Sequence, residues 1–182
     1  MFTAATIPYP VPPLGGATFI LRPFRADDFG TALTFAEDPE GVRWVQELPA
    51  DDGAGVAEFF ENSRLNGELL HVVIASRATD AYLGEAMLVP GDDLVAEVGC
   101  CVLPTARRQG VATHALRLLT EWAFTEFRIK RVQVFVAVEN HAALHLAEAA
   151  GFTREGVLRA YFGGTNERSD AIVLSRLPAD PG

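Results

Sequence analysis

The stretch from Val132 to Val138 constrains this chain more than any other. Val132, Val134, Val136 and Val138 alternate with Gln133, Phe135 and Ala137, so both faces of the strand are largely apolar. A strand of that kind needs cover above and below, as a central strand has between layers of helices. The flanking sequence supplies the helices. Upstream, Val111, Ala115, Leu118, Leu119 and Trp122 recur at helical spacing between Gly110 and Phe127. Downstream, His141 to Ala150 reads as a short alanine-rich helix ended by Gly151, which suits a left-handed C′ position. Leu94 to Leu103, closed by Pro104, reads as the preceding strand. Strand, helix and strand in this order predict a right-handed parallel βαβ unit.

Hairpin signals surround that unit. His71 to Ser76 and Tyr82 to Val89 are apolar runs separated by Arg77-Ala78-Thr79-Asp80, and Pro90 to Asp93 makes the next turn. Ala17 to Leu21 reads as a first strand. Ala26-Asp27-Asp28 offers helix-start chemistry before Phe29, Leu33 and Phe35, and Val56 to Asn66 reads as a second helix. Two last strands are expected around Phe152 to Ala160 and Arg168 to Leu177, turning at Gly163-Gly164. The class is α/β: one domain with a mixed central sheet of about six to seven strands flanked by helices. A Pro/Gly-rich leader occupies residues 1–16, the domain 17–177 and a tail 178–182.

Composition narrows the function. The two cysteines, Cys100 and Cys101, are adjacent and give neither a disulfide framework nor metal-ligand spacing. On alternating strand positions they read as small apolar fillers. No apolar run approaches the roughly 18 residues of a membrane span, and the leader lacks a basic n-region, so a reducing cytoplasm is the expected location. A net charge of −9 argues against binding nucleic acid through its phosphates. That charge is uneven. Residues 1–99 hold 5 Arg against 16 Asp/Glu, whereas residues 100–182 hold 10 Arg/Lys against 8 Asp/Glu. An anionic ligand is favoured by the second half and a cationic one by the first.

The segment that carries chemistry is Arg107-Arg108-Gln109-Gly110-Val111-Ala112-Thr113, between a strand and the long helix. Amides at a helix start lack intrahelical acceptors and lie at the positive end of the dipole, so they suit a phosphate. Gly110 lets the phosphate approach, Ala112 keeps the next turn small, and the two arginines add charge. Neither a Walker loop nor Gly-x-Gly-x-x-Gly is present. Within the preceding strand, Gly99 beside Glu97 suggests a bulge that splays it from its neighbour and exposes backbone groups to an extended amide ligand. Asn140 ends the valine strand, where its amide can cap the next helix or reach a ligand in the same cleft.

These residues resemble the GNAT superfamily of acyl-CoA-dependent N-acetyltransferases. Arg107 to Ala112 is similar to that family's pyrophosphate motif, and Asn140-His141-Ala142-Ala143 with Ala149-Ala150-Gly151-Phe152 to its Asn-x-x-Ser/Ala … Gly-Phe block. Leu21-Arg22-Pro23-Phe24-Arg25, Glu97-Val98-Gly99 and Arg168-Ser169-Asp170-Ala171 resemble the RimJ/RimL-type branch. The resemblance implies transfer of an acetyl group from acetyl-CoA to a primary amine, on a protein N-terminus or a small molecule, by direct attack in a ternary complex without a metal. Cys101, Val102 and Leu103 would present backbone groups to pantetheine and thioester. Arg107, Arg108, Gln109, Gly110, Val111, Ala112 and Thr113 would hold the pyrophosphate, and Asn140 would contact pantetheine. An amine acceptor is the implied partner, with neither nucleic acid nor membrane, and a homodimer stays open.

Several positions depart from the family pattern. The tyrosine that many members use as an acid matches Ala147, a branch serine matches Ala143, and an acidic residue of some members matches Phe162. Glu97 is the candidate base, with a plain strand-edge anchor as the alternative. Tyr161 is the candidate acid, or else lines the acceptor pocket or packs. His114 and His145 read as surface or cofactor-adjacent, and Trp44, Phe59 and Phe60 as acceptor-groove or core residues. A non-catalytic acyl-CoA-binding module and a nucleotide-phosphate binder are the competing readings.

Overall fold

The computed structural model describes residues 6–38, 49–163 and 168–180. Its elements run β1 (Phe19–Arg22), α1 (Phe29–Ala32), α2 (Gly53–Leu65), β2 (Leu70–Ser76), β3 (Tyr82–Pro90), β4 (Val95–Val102), α3 (Val111–Glu126), β5 (Arg131–Ala137), α4 (His141–Ala149), β6 (Thr153–Phe162) and β7 (Ser169–Arg176). The seven strands form one sheet in the order β1-β2-β3-β4-β5-β7-β6, with β4 and β5 parallel and every other pair antiparallel. The expected βαβ unit is β4-α3-β5, and the sheet is mixed as expected.

Alternation along the strands divides the core into two layers. On the back face Val72, Ile74, Ala86, Leu88, Ala96, Val98, Val132, Val134 and Val136 pack with Leu116, Leu119 and Ala123 of α3 and Leu144 and Ala147 of α4. On the front face Val73, Ala75 and Tyr82 pack with Phe24, Ala32, Phe35, Val56 and Phe60. Cys100 joins the back layer and Cys101 the front, so the adjacent thiols do point to opposite faces. Helix α1 is short because the segment expected as one helix is divided among 3-10 turns at Ala26–Asp28 and Leu33–Glu37 and the α-turn between them. Asp28 anchors this corner. Its carboxylate takes both terminal nitrogens of Arg22 at 2.8 Å and the Arg25 amide at 2.8 Å, and both charged side chains are buried.

The leader packs on this frame from Thr6 onward. Ile7 is fully buried in the back layer, its N–H donates to Arg64 O at 3.0 Å, and Arg64 donates back to its carbonyl at 2.5 Å. Arg64 also lies over the Tyr9 ring, 4.6 Å from its centroid. The segment then runs past Leu118 and Trp122 of α3 and bridges through Gly15 to Ile20.

Candidate active site

The site follows from how little holds the two halves of the sheet together. Strands β4 and β5 pair only at Val95–Arg131, Ala96–Val132 and Glu97–Gln133. Beyond Glu97, β4 keeps its pairing with β3 to Val102, and β5 keeps its pairing with β7 to Ala137. The two parallel strands therefore part at their C-terminal ends, where open α/β sheets place ligands. The opening is not made by the expected bulge: Gly99 sits opposite Met87 in unbroken register with β3. Each strand instead follows its antiparallel neighbour, and sheet twist carries them apart.

This register corrects which backbone groups face the opening. Leu103 gives its N–H to Leu83 O at 2.8 Å, and its carbonyl accepts from Ala106. Antiparallel alternation places Cys101, opposite Glu85, on that same β3-facing side. The groups turned towards β5 belong to Val98, Cys100 and Val102. Of the three residues named for backbone contact, Val102 turns its groups towards β5, while Cys101 and Leu103 turn theirs towards β3. The parallel pairing agrees, since Leu94 O accepts from Lys130 N at 2.7 Å. Crowding between β3 and β4 is tight beside Val102, where a Cβ on Gly84 would lie 2.2 Å from Cys101 O.

Past Val102, a 3-10 turn at Pro104–Ala106 leads into the start of α3. Arg108 (φ 59°) and Gly110 (φ 72°) both adopt left-handed backbone, and Gly110 is the residue immediately before the helix. Among the described residues beyond its immediate chain neighbours, no atom lies within 4 Å of where a Gly110 Cβ would stand, so the corner is open even though an L side chain is strained there. Amides of the helix first turn meet this space at the positive end of the dipole. The residues expected to hold pyrophosphate, Arg107 to Thr113, form this loop and the first turn of α3, though their side chains differ in role. Val111 and Ala112 are buried, Arg108 is exposed, and Gln109 braces its own loop by donating to Thr105 O at 2.8 Å. Arg107 pairs with Asp38, tying the loop to the end of the Leu33–Glu37 turn. Across the opening, Asn140 caps α4: its Oδ1 accepts from Ala143 N at 3.1 Å, which leaves the carboxamide nitrogen for another partner.

Glu97 and Tyr161, far apart in sequence, come together on the front face. Burial raises the Glu97 carboxyl above its ordinary pKa, and among the described residues it makes no hydrogen bond or ion pair. Tyr161 stacks on Phe135 with centroids 4.7 Å apart. Its hydroxyl is pushed up by burial and then by the charge of Glu97. The remaining aromatic and histidine candidates divide. Phe60 is core, Phe59 is exposed, His114 and His145 are exposed, and Trp44 lies outside the described residues, as does Gly164.

One polar cluster was not anticipated. Glu85 Oε2 takes hydrogen bonds from His71 Nε2 at 3.1 Å and Tyr82 Oη at 2.9 Å, and Cys101 Sγ lies 3.7 Å from Oε1. Burial alone would raise the Glu85 carboxyl, but these donors and the charge of His71 outweigh it and its pKa lies below the ordinary value. Burial pushes the thiols the other way, Cys100 to about 12 and Cys101 well above its ordinary value. A single carboxylate inside the apolar run Tyr82 to Val89 was the available signal.

The family model "Acetyltransferase (GNAT) domain" matches residues 18–153. The spermidine N(1)-acetyltransferase of Escherichia coli K12 is 22% identical over 154 residues, spanning 85% of this chain and 83% of that protein. A Vibrio cholerae structure described as a ribosomal-protein-serine acetyltransferase superposes with a TM-score of 0.79 at 20% identity, over 91% of this chain and 97% of the other. Mycobacterium smegmatis RimJ in complex with CoA-disulfide gives 0.75 at 20% identity, over 88% and 82%. At these identities the superpositions speak for the fold.

Proposed function

Because the chain belongs to the GNAT acetyltransferases, we propose that it moves an acetyl group from acetyl-CoA to a primary amine by direct attack within a ternary complex. The observation that carries this reading is the parting of β4 and β5 after Glu97, with the open left-handed corner at Gly110 directly beyond it. The residues fit the co-substrate. Backbone groups of Val98, Cys100 and Val102 suit an extended amide-bearing arm, and the amides of Arg108 to Thr113 suit a pyrophosphate. Acetyl-CoA supplies an activated acyl group as a thioester.

The chain's own residues supply positioning and proton transfer. Glu97, at the last paired position before the opening, accepts the proton that the ammonium of the acceptor must lose. Its raised pKa makes it a stronger base than an exposed glutamate. Tyr161 returns a proton to the departing sulfur in this reading, supported by its stack on Phe135 and by the influence of the Glu97 charge on its hydroxyl. Ala147 is only 1% exposed and packed in the back core, so no acid acts from that position. The acceptor is a terminal or small amine that approaches from the acidic first half of the chain, and added salt raises its KM.

That same absence of an acid at Ala147 favours the second reading, a module that binds acyl-CoA without turnover. Incubation with acetyl-CoA and a panel of peptide, polyamine and aminoglycoside amines separates them. Release of free CoA with any amine supports transfer. A melting temperature raised by acetyl-CoA, with no CoA released from any amine, supports the module.

A further inference from the structure

Glu85 occupies a position that the transfer chemistry above does not use. It lies on the front face of β3, opposite Cys101, and so shares a face with Glu97 and the acceptor side of the opening. Val89 is the β3 partner of Glu97, four residues along from Glu85. Strand rise and spacing then put the Glu85 and Glu97 Cα atoms about 14 Å apart. One amine cannot touch both.

The surroundings of Glu85 are those of an anion with one side open. Two good donors, His71 and Tyr82, converge on Oε2, whereas among the described residues Oε1 has only a thiol at 3.7 Å, the weakest donor a side chain offers. No arginine or lysine among the described residues pairs with it; the nearby Arg22 is engaged with Asp28 and Asp80. Hydrogen bonds from His71 and Tyr82, with the charge of His71, hold the carboxylate ionised through Oε2, and the acceptor capacity of Oε1 is what they leave unused. The imidazole cannot swing to the open side, because His71 stacks flat on Phe60 at 3.7 Å and is 6% exposed. The Glu85 side chain itself keeps 17% of its surface accessible.

We propose that Glu85 is a specificity-determining residue of the acceptor site, receiving on Oε1 a second cationic group of the acceptor, an ammonium or guanidinium distinct from the amine that is acetylated. This rests on the front face being the acceptor side. The acceptors favoured are then amines that carry a second positive charge in the same molecule. His71 and Tyr82 act as positioning residues that aim the carboxylate.

The test compares α,ω-diamines with n-alkyl monoamines of equal length, using kcat/KM with acetyl-CoA saturating. The wild type is expected to favour a diamine of the matching length at least tenfold over its monoamine. In Glu85→Gln that ratio falls towards one, through KM of the diamine rather than kcat, while Glu85→Asp retains a preference at a longer diamine. A melting shift with acetyl-CoA establishes that each variant is folded. An unchanged diamine-to-monoamine ratio in folded Glu85→Gln overturns the inference. So does a wild type that acetylates diamines and monoamines equally, a result that needs no variant. If the wild type acetylates no amine at all, the transfer reading itself has failed, which is a different outcome.

Discussion

Substituting Gly110 separates backbone strain from ligand contact. At φ 72° a side chain costs about 1–2 kcal/mol of left-handed strain. Among the described residues no atom beyond the chain neighbours lies within 4 Å of the added Cβ, so packing there adds no further cost. For a chain of this length each kcal/mol moves Tm by roughly 2–4 °C, giving a fall of about 2–8 °C for Gly110→Ala without ligand. Gly110→Asn falls less, since asparagine tolerates this region. Acetyl-CoA at about 100 times its Kd stabilises the wild type by roughly 2.7 kcal/mol. Gly110→Glu carries the same backbone cost but also sets bulk and negative charge where the pyrophosphate is expected, and it abolishes that increment. Differential scanning fluorimetry with and without acetyl-CoA reads both effects. An unchanged Tm in ligand-free Gly110→Ala would refute the left-handed corner. A full acetyl-CoA increment in folded Gly110→Glu would place the pyrophosphate elsewhere.

Glu97→Gln lowers turnover by about 10²–10⁴-fold at neutral pH, with the deficit shrinking as the amine deprotonates at higher pH; equal rates across pH 6–9 would make Glu97 structural. Because the folded state raises the Glu97 pKa, ionising this group costs stability as pH rises through that value. Glu97→Gln therefore melts higher than wild type at neutral pH and loses the gain in acid below the ordinary glutamate range. Asp28→Ala leaves the buried Arg22 charge without its bidentate partner and costs about 3–5 kcal/mol by urea unfolding; a loss under 1 kcal/mol would show that Asp80 suffices. With its thiol pushed up to about 12, Cys100 stays unalkylated by iodoacetamide at pH 8 in the folded protein and reacts in urea.

Much of the architecture is legible in the sequence because burial repeats along it. The valine strand, the α3 stripe and the glycine after α4 each carry a local periodic signal, and the structure places an element at each. The opening between β4 and β5 is legible only in location. Gly99 draws attention to the right strand for the wrong reason, since the strands separate by following different neighbours. Backbone direction was also out of reach: whether Cys101 or Val102 faces the opening depends on register with β3, which no residue pattern within β4 specifies. The His71-Tyr82-Glu85-Cys101 cluster is assembled from three strands and has no spacing of its own. Ile7 escapes for a similar reason, being held by Arg64, 57 residues away.

Intact-mass measurement tests direct transfer most plainly. The protein is incubated with acetyl-CoA labelled in the acetyl group, first alone and then with an accepted amine. The account predicts an unmodified protein mass in both cases and one labelled acetyl on the amine for each CoA released. A labelled acetyl group carried by the protein, on Cys101 or any other residue, and discharged when the amine is added would contradict it.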